Sequence, residues 1–209
     1  LMNNLEVRNI LKNDLNFSEN SLIKLEKFVA FLLKYNKKYN LIAKSTEKLV
    51  WTRHVLDTAQ LLRFLDADKK LVLADLGTGA GFPGAILSIF DKKNNFHVKL
   101  YEKSTVKRIF LSQVKQMLNL KYQVLGDVYT ENLDADIILC RAFKKLNEII
   151  KISREKMEKD HKIIILKGRN AEFEINKLSL SSNYSYKLER SITDNESKII
   201  IVKVNKNEK

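Results

Sequence analysis

From residue 75 to 84 the chain reads Asp-Leu-Gly-Thr-Gly-Ala-Gly-Phe-Pro-Gly, and four of its six glycines fall in eight of those positions. Glycine costs backbone entropy, so such a cluster is explained where φ must be positive or where backbone must come close to a ligand. The chemistry it supports is the cradling of a nucleoside-bearing cofactor. The apolar run 71–76 just before it is too short for a helix, whereas Pro83 suits the first position of a helix through Gly84-Ala-Ile-Leu-Ser-Ile-Phe. The loop is therefore expected at a strand-to-helix turn.

In open α/β sheets ligands bind at the carboxyl ends of strands, so residues that follow each strand should converge there. Asp75, Gly77, Gly79 and Gly81 follow the first run, Glu102 the second, Gly126-Asp127-Val128 the third and Arg141 the fourth. Glu102 is suited to accept from both hydroxyls of an adenosine ribose. Asp127 can accept from an adenine amino group while the Val128 amide donates to the ring, and Phe82 can cover the ligand. Gly79-Ala-Gly81-Phe-Pro-Gly84 also satisfies G-x-G-x-x-G, which keeps a nicotinamide or flavin dinucleotide open. Against that, a carboxylate as close as Asp75 disfavours a pyrophosphate and suits a cation, such as the sulfonium and ammonium of S-adenosylmethionine.

The elements that must position these residues follow from periodicity. Helical spacing marks 18–39, 49–64, 83–90, 106–118 and 145–157; β-rich runs mark 97–101, 122–125, 136–140, 163–166, 184–188 and 199–204. Their alternation predicts an α/β sheet with three crossover units and a closing antiparallel hairpin through 191–196. Residues 1–66 form a helical amino-terminal extension packed on a core at 67–209, the two making one compact unit, and the tail 205–209 is expected to be disordered. At 209 residues and 44% hydrophobic content, one main domain is the expectation.

Composition excludes several functions. No apolar stretch approaches the roughly 20 residues of a membrane span and no signal-peptide core opens the chain, so a cytoplasmic protein without a membrane partner is expected. Cys140 is the single cysteine, and His54, His97 and His161 show no zinc spacing, so neither a disulfide nor a metal is indicated. A net charge of +13 favours a polyanionic partner.

Asp75-Leu-Gly-Thr-Gly-Ala-Gly resembles the first signature of class I S-adenosylmethionine-dependent methyltransferases. With Phe82-Pro-Gly84, Asn40-Leu-Ile, Arg53-His-Val-Leu-Asp57, Arg141-Ala-Phe143 and Leu166-Lys-Gly168, the chain resembles the bacterial 16S ribosomal RNA guanine-N7 methyltransferases, also called glucose-inhibited division protein B. The resemblance implies a Rossmann-like fold with a mostly parallel seven-stranded sheet, one antiparallel strand and a helical amino-terminal extension. It implies S-adenosylmethionine as cofactor and 16S rRNA or the small ribosomal subunit as partner, with cofactor contacts at Gly77, Phe82, Val128, Tyr129 and Arg141. The family commonly carries arginine where this chain has Asp127, and lysine or arginine where it has Val106; Asp127 matches the broader superfamily.

Guanine N7 already exposes a lone pair, so methylation there needs no general base, and catalysis should come from alignment and electrostatics. Cys140 ends an apolar strand and reads as a packed residue, not the nucleophile of carbon-5 methylation. The Asn/Asp-Pro-Pro-aromatic turn of amine methylation is missing at 140–143. Arg141 is assigned to the methionine carboxylate ahead of an RNA phosphate or a structural acid. His54 and Asp57 read equally as a packing pair or as facing substrate, and Lys107, Arg108 and Lys167 are candidate phosphate contacts. A monomer is expected. The rival readings are an NAD-dependent oxidoreductase and a non-enzymatic RNA-binding ribosome-assembly factor.

Overall fold

Short apolar runs that are buried on both faces can only lie inside a sheet covered by helices on each side. The computed structural model, which describes residues 2–90, 93–178 and 184–206, has this arrangement. Strands β1 (Leu71–Leu76), β2 (Phe96–Tyr101), β3 (Gln123–Leu125), β4 (Ile137–Arg141), β5 (His161–Lys167), β6 (Tyr184–Arg190) and β7 (Lys198–Val204) form one sheet in the order β3-β2-β1-β4-β5-β7-β6. β1 to β5 pair in parallel; β7 runs antiparallel to both β5 and β6. Chain order reverses between β1 and β4, which opens a crevice at the carboxyl ends of those two strands.

One face carries α4 (Gly84–Phe90), α5 (Thr105–Leu118) and the amino-terminal layer; the other carries α6 (Leu146–Lys156) and α7 (Ala171–Asn176). Cys140 is fully buried in the second cluster. The layer comprises α1 (Asn4–Asn9) with a π-helical turn Ile10–Asp14, then α2 (Glu19–Tyr39), then the turns Lys44–Leu49 and Trp51–Leu56, α3 (Asp57–Ala59) and the turn Gln60–Phe64. Ser18 caps α2 through its Oγ, which accepts the Ser21 N–H, and Asn40 ends it in the left-handed region.

Three differences from the sequence expectation have local causes. The helix expected over 49–64 is broken into 3-10, π and α turns, because side chains take its carbonyls: the Thr58 hydroxyl bonds His54 O and Val55 O, and the Gln60 amide bonds Asp57 O. Neither α1 nor α7 was expected: each spans six residues, too short for periodicity to reveal, although an Asn3/Glu6 capping box opens α1. In the tail, residues 207–209 lie outside the described residues. Lys206 is ordered, its N–H donating to Asp160 Oδ1 and its Nζ to Arg154 O.

Helix α2 fastens the layer to the sheet through an aromatic seam. Phe28 is fully buried and stands edge-on to Phe82 of the glycine loop at 5.5 Å, with Phe110 of α5 at 6.2 Å. Phe28→Ala is expected to lower the unfolding free energy by about 3–5 kcal/mol. Urea denaturation with an unchanged m-value and a lower midpoint checks it.

Candidate active site

Strand β1 delivers the chain into the crevice at Gly77, where the N–H groups of Gly77 and Thr78 both donate to Tyr101 O at the end of β2, at 2.9 and 3.1 Å. The loop then folds on itself, with Gly81 and Phe82 N–H both donating to Thr78 O at 3.0 Å. This path puts Gly77, Gly79 and Gly81 at φ +68°, +61° and +97°, the region that a Cβ disfavours. At Gly77 a Cβ would lie 2.3 Å from Phe143 Cδ2, so the ring that follows β4 closes directly over the glycine. At Gly79 a Cβ would meet nothing closer than Gly77 O at 4.0 Å. The backbone there faces open space.

Two carboxylates hold the loop. Asp75 is fully buried, and its Oδ2 accepts the Thr78 hydroxyl at 2.6 Å and the Gly84 N–H at 2.8 Å, so it stitches the loop's start to the start of α4. Burial pushes its pKa up to about 7, and its Oδ1 has no hydrogen-bond partner among the described residues. The structure thus corrects the expected electrostatic role: Asp75 braces the loop from inside and is only partly ionised at neutral pH, not an open anion that repels a pyrophosphate. Glu102 stands beside the loop. Its Oε2 accepts Gly79 N–H at 3.0 Å and its Oε1 accepts Ser104 N–H at 2.8 Å, which joins the loops after β1 and β2. Each oxygen keeps acceptor capacity for a further hydroxyl.

The loop after β3 completes the crevice wall. Asp127 is half-buried and its Oδ1 accepts Tyr129 N–H at 3.1 Å, an Asx turn that buries Val128 and leaves Tyr129 about half exposed.

Arg141 is more deeply engaged than the sequence indicated. Its Nη1 donates to His54 Nδ1 at 2.9 Å, its Nη2 to Arg53 O at 2.5 Å, and its Nε pairs with Asp57 Oδ2 at 3.3 Å. Three of five N–H groups therefore bind the amino-terminal layer, and two remain for an anion. Phe82 is 5% exposed, with the His54 ring at 5.2 Å and the Arg141 guanidinium at 5.8 Å, so its ring is a packing element instead of the expected cover for a ligand.

Two of the expected RNA contacts, His54 and Lys167, are corrected. His54 is 8% exposed with both ring nitrogens bonded, and burial and the neighbouring Arg141 and Arg53 lower its pKa to about 3. Lys167 is committed to Glu174 and to Lys144 O, both at 2.9 Å. Arg108 donates to the carbonyls of Glu102 and Lys103 at 2.9 and 2.7 Å and to Thr105 Oγ1 at 3.1 Å, which leaves two of its five N–H groups for an anion. Lys107 keeps no side-chain partner among the described residues. Sequence reasoning missed Thr78, whose hydroxyl closes the loop, and Thr193 and Asp194, which bind Asp57 and Arg53 from more than 130 positions away. A cavity of about 300 Å³ lies between Arg53, Asp57, Arg141, Lys167 and Asp194 at the carboxyl ends of β4 and β5. A larger one of about 560 Å³ opens at the amino ends of β1 and β2, lined by Lys70, Phe96 and Lys121, and touches none of these groups. Among the described residues no cluster of His, Cys, Asp and Glu could hold a metal, and no helix is long and apolar enough to cross a membrane.

The family model for rRNA small subunit methyltransferase G matches residues 21–200. A protein of that description from Orientia tsutsugamushi (strain Ikeda) is 34% identical over 200 residues, covering 95% of this chain and 98% of its own; one from Rickettsia felis is 36% identical over 180 residues, covering 86% and 91%. A solved structure from Klebsiella pneumoniae superposes with a TM-score of 0.62 over 95% of this chain and 96% of its own, at 13% identity. A SAM-dependent methyltransferase from Aquifex aeolicus does so at 0.56, over 72% and 90%, at 12% identity. The two structures show the fold alone.

Gly77→Ala is expected to destabilise the protein by about 2 kcal/mol, from positive φ and the Phe143 contact, and to weaken S-adenosylhomocysteine binding at least about tenfold. Gly168→Ala, where a Cβ meets nothing within 4 Å, is the control and leaves both unchanged. Calorimetry and thermal melts decide. His54 gives a pH dependence: below pH 6.5 the unfolded imidazole binds a proton that the folded one refuses until about pH 3, so stability falls as pH is lowered across that window. Relative to His54→Asn, the parent chain should lose up to about 1.4 kcal/mol per pH unit between 6.5 and 3 in urea titrations.

Proposed function

The chain belongs to the rRNA small subunit methyltransferase G family, and from that premise we propose that it methylates N7 of a guanine in 16S rRNA of the small ribosomal subunit, with S-adenosylmethionine as methyl donor. The observation that carries the reading is the carboxylate bridge from Glu102 to the Gly79 N–H, which fixes an open, positive-φ backbone beside two acceptor oxygens. Those features fit a cofactor with a ribose and a cationic end. When bound, S-adenosylmethionine supplies an electrophilic methyl on a sulfonium.

The residues divide the work by position. Glu102 holds vicinal hydroxyls, the Asp127–Tyr129 turn takes the base end, and the Gly77–Gly79 backbone, backed by Asp75, holds the amino-acid end, with the two spare N–H groups of Arg141 available to a carboxylate. Neither His54 nor Cys140 is poised to act: His54 is neutral with both ring nitrogens bonded, and burial pushes the Cys140 thiol well above its ordinary range, so they offer neither an imidazole base nor a thiolate. A nucleophile with a ready lone pair, as guanine N7 has, requires neither. The +13 charge suits an RNA substrate. We place the enzyme in the cytoplasm, acting as a monomer, with residues 1–66 and 67–209 working as one unit.

Mass spectrometry of 16S rRNA from a deletion strain tests the reading. One 7-methylguanosine of the parent should be missing and should return when purified protein and S-adenosylmethionine are added to the mutant's small subunits. Retention of every 7-methylguanosine overturns it. Glu102→Gln is expected to weaken S-adenosylmethionine binding about tenfold, or about 1.4 kcal/mol, the scale of a charge-assisted hydrogen bond. Unchanged affinity in calorimetry removes Glu102 from the site.

A further inference from the structure

A cavity of about 330 Å³ outside the crevice is lined by Lys145, Asn147, Asn170, Phe173, Glu174 and Lys177. It adjoins the cofactor loop through a short path: Phe143 lies against Gly77, and Lys145, two residues on, lines the cavity at the head of α6. Glu174 pins the cavity's far wall. Its carboxylate accepts Leu146 N–H at 2.6 Å and pairs with Lys167 at 2.9 Å, which ties α7 to α6 and β5 and leaves that negative charge neutralised.

What remains on the rim is unusual in its combination. Phe173 is 59% exposed, the ammonium of Lys177 sits 4.1 Å from its ring centroid, and Lys145 and Lys177 have no carboxylate partner among the described residues. A single exposed phenylalanine needs no explanation. Here one face of the ring carries the Lys177 ammonium, and the residue stands among two asparagine amides and two lysines without a carboxylate partner, at the end of the path that runs from Gly77 through Phe143 to Lys145. Each part matches a part of a nucleotide: a π face for base stacking, amides for base-edge hydrogen bonds, ammonium groups for the backbone phosphates.

We propose that this cavity is a stacking subsite for an unpaired RNA base that neighbours the methylated guanine. The assignment rests on the rRNA methyltransferase reading above. Phe173 holds the base by its face, Lys145 and Lys177 engage the flanking phosphates, and the strand is thereby fixed on one side of the crevice.

Steady-state methylation of small ribosomal subunits tests it with Phe173→Ala and Phe173→Tyr. Phe173→Ala should raise KM for the subunit about tenfold with kcat within twofold, S-adenosylhomocysteine affinity and melting temperature unchanged, and Phe173→Tyr should restore KM. A parental KM in Phe173→Ala, or no rescue by tyrosine, overturns the subsite. Phe173→Trp adds a fluorophore to a chain whose one tryptophan is Trp51. Relative to the parent protein, its emission should be quenched by a single-stranded oligoribonucleotide and not by the same strand in a duplex. Equal response to both, or none, overturns base stacking. If the parent enzyme fails to methylate small-subunit RNA, the function reading falls, and the fluorescence comparison still decides the cavity.

Discussion

One half-buried guanidinium organises the junction on which this architecture depends. Arg141, at the end of β4, can only donate, so the bond to His54 Nδ1 forces the neutral imidazole to carry its proton on Nε2. Nε2–H then donates to Thr46 Oγ1 at 2.8 Å, and the Thr46 hydroxyl donates to Ala43 O at 2.8 Å. The polarity of this chain runs one way from sheet to surface. On its other edge Arg141 pairs with Asp57, whose Oδ1 accepts the Thr193 hydroxyl and the Gln60 amide, and Gln60 in turn holds Ser191 Oγ and Ile192 N–H. Sheet, helical layer and the β6–β7 connection therefore share one set of polar contacts, with Phe82 beneath it linking the glycine loop to the same point.

Such a junction is costly to disturb, because removing one partner strands the others away from water. It also explains why the layer cannot be a regular helix over 49–64. His54, Asp57 and Gln60 must all reach fixed partners, and the backbone accommodates them by tightening and widening its turns.

Ionisable groups near the loop act against one another with pH. Folded Asp75 keeps its proton up to about pH 7, so between 4 and 7 the folded state binds the extra proton and stability falls as pH rises. For His54 the sign is reversed over an overlapping window, since there the unfolded state binds the extra proton. The two partly cancel. A buried, only partly ionised carboxyl under the loop and a neutral imidazole near it keep the cradle's interior low in charge, while buried Glu102 and half-buried Asp127 supply acceptor oxygens at its wall.

The sequence by itself determined what is local. The strand before residue 77, the positive-φ glycines, the order of β-rich and helical runs and the acids at strand ends are all set by nearest-neighbour sterics and by period, so they were legible without a partner. The burial of His54, Phe82 and Lys167 was not, because their partners lie at Arg141, Phe28 and Glu174, and from sequence a polar or aromatic residue beside a crevice reads the same whether it faces a ligand or a neighbour. Only the tertiary structure decided which charges are spent within the protein. Desolvation drives buried donors and acceptors to find partners, and folding brings most of those partners together across stretches of chain that sequence periodicity does not span.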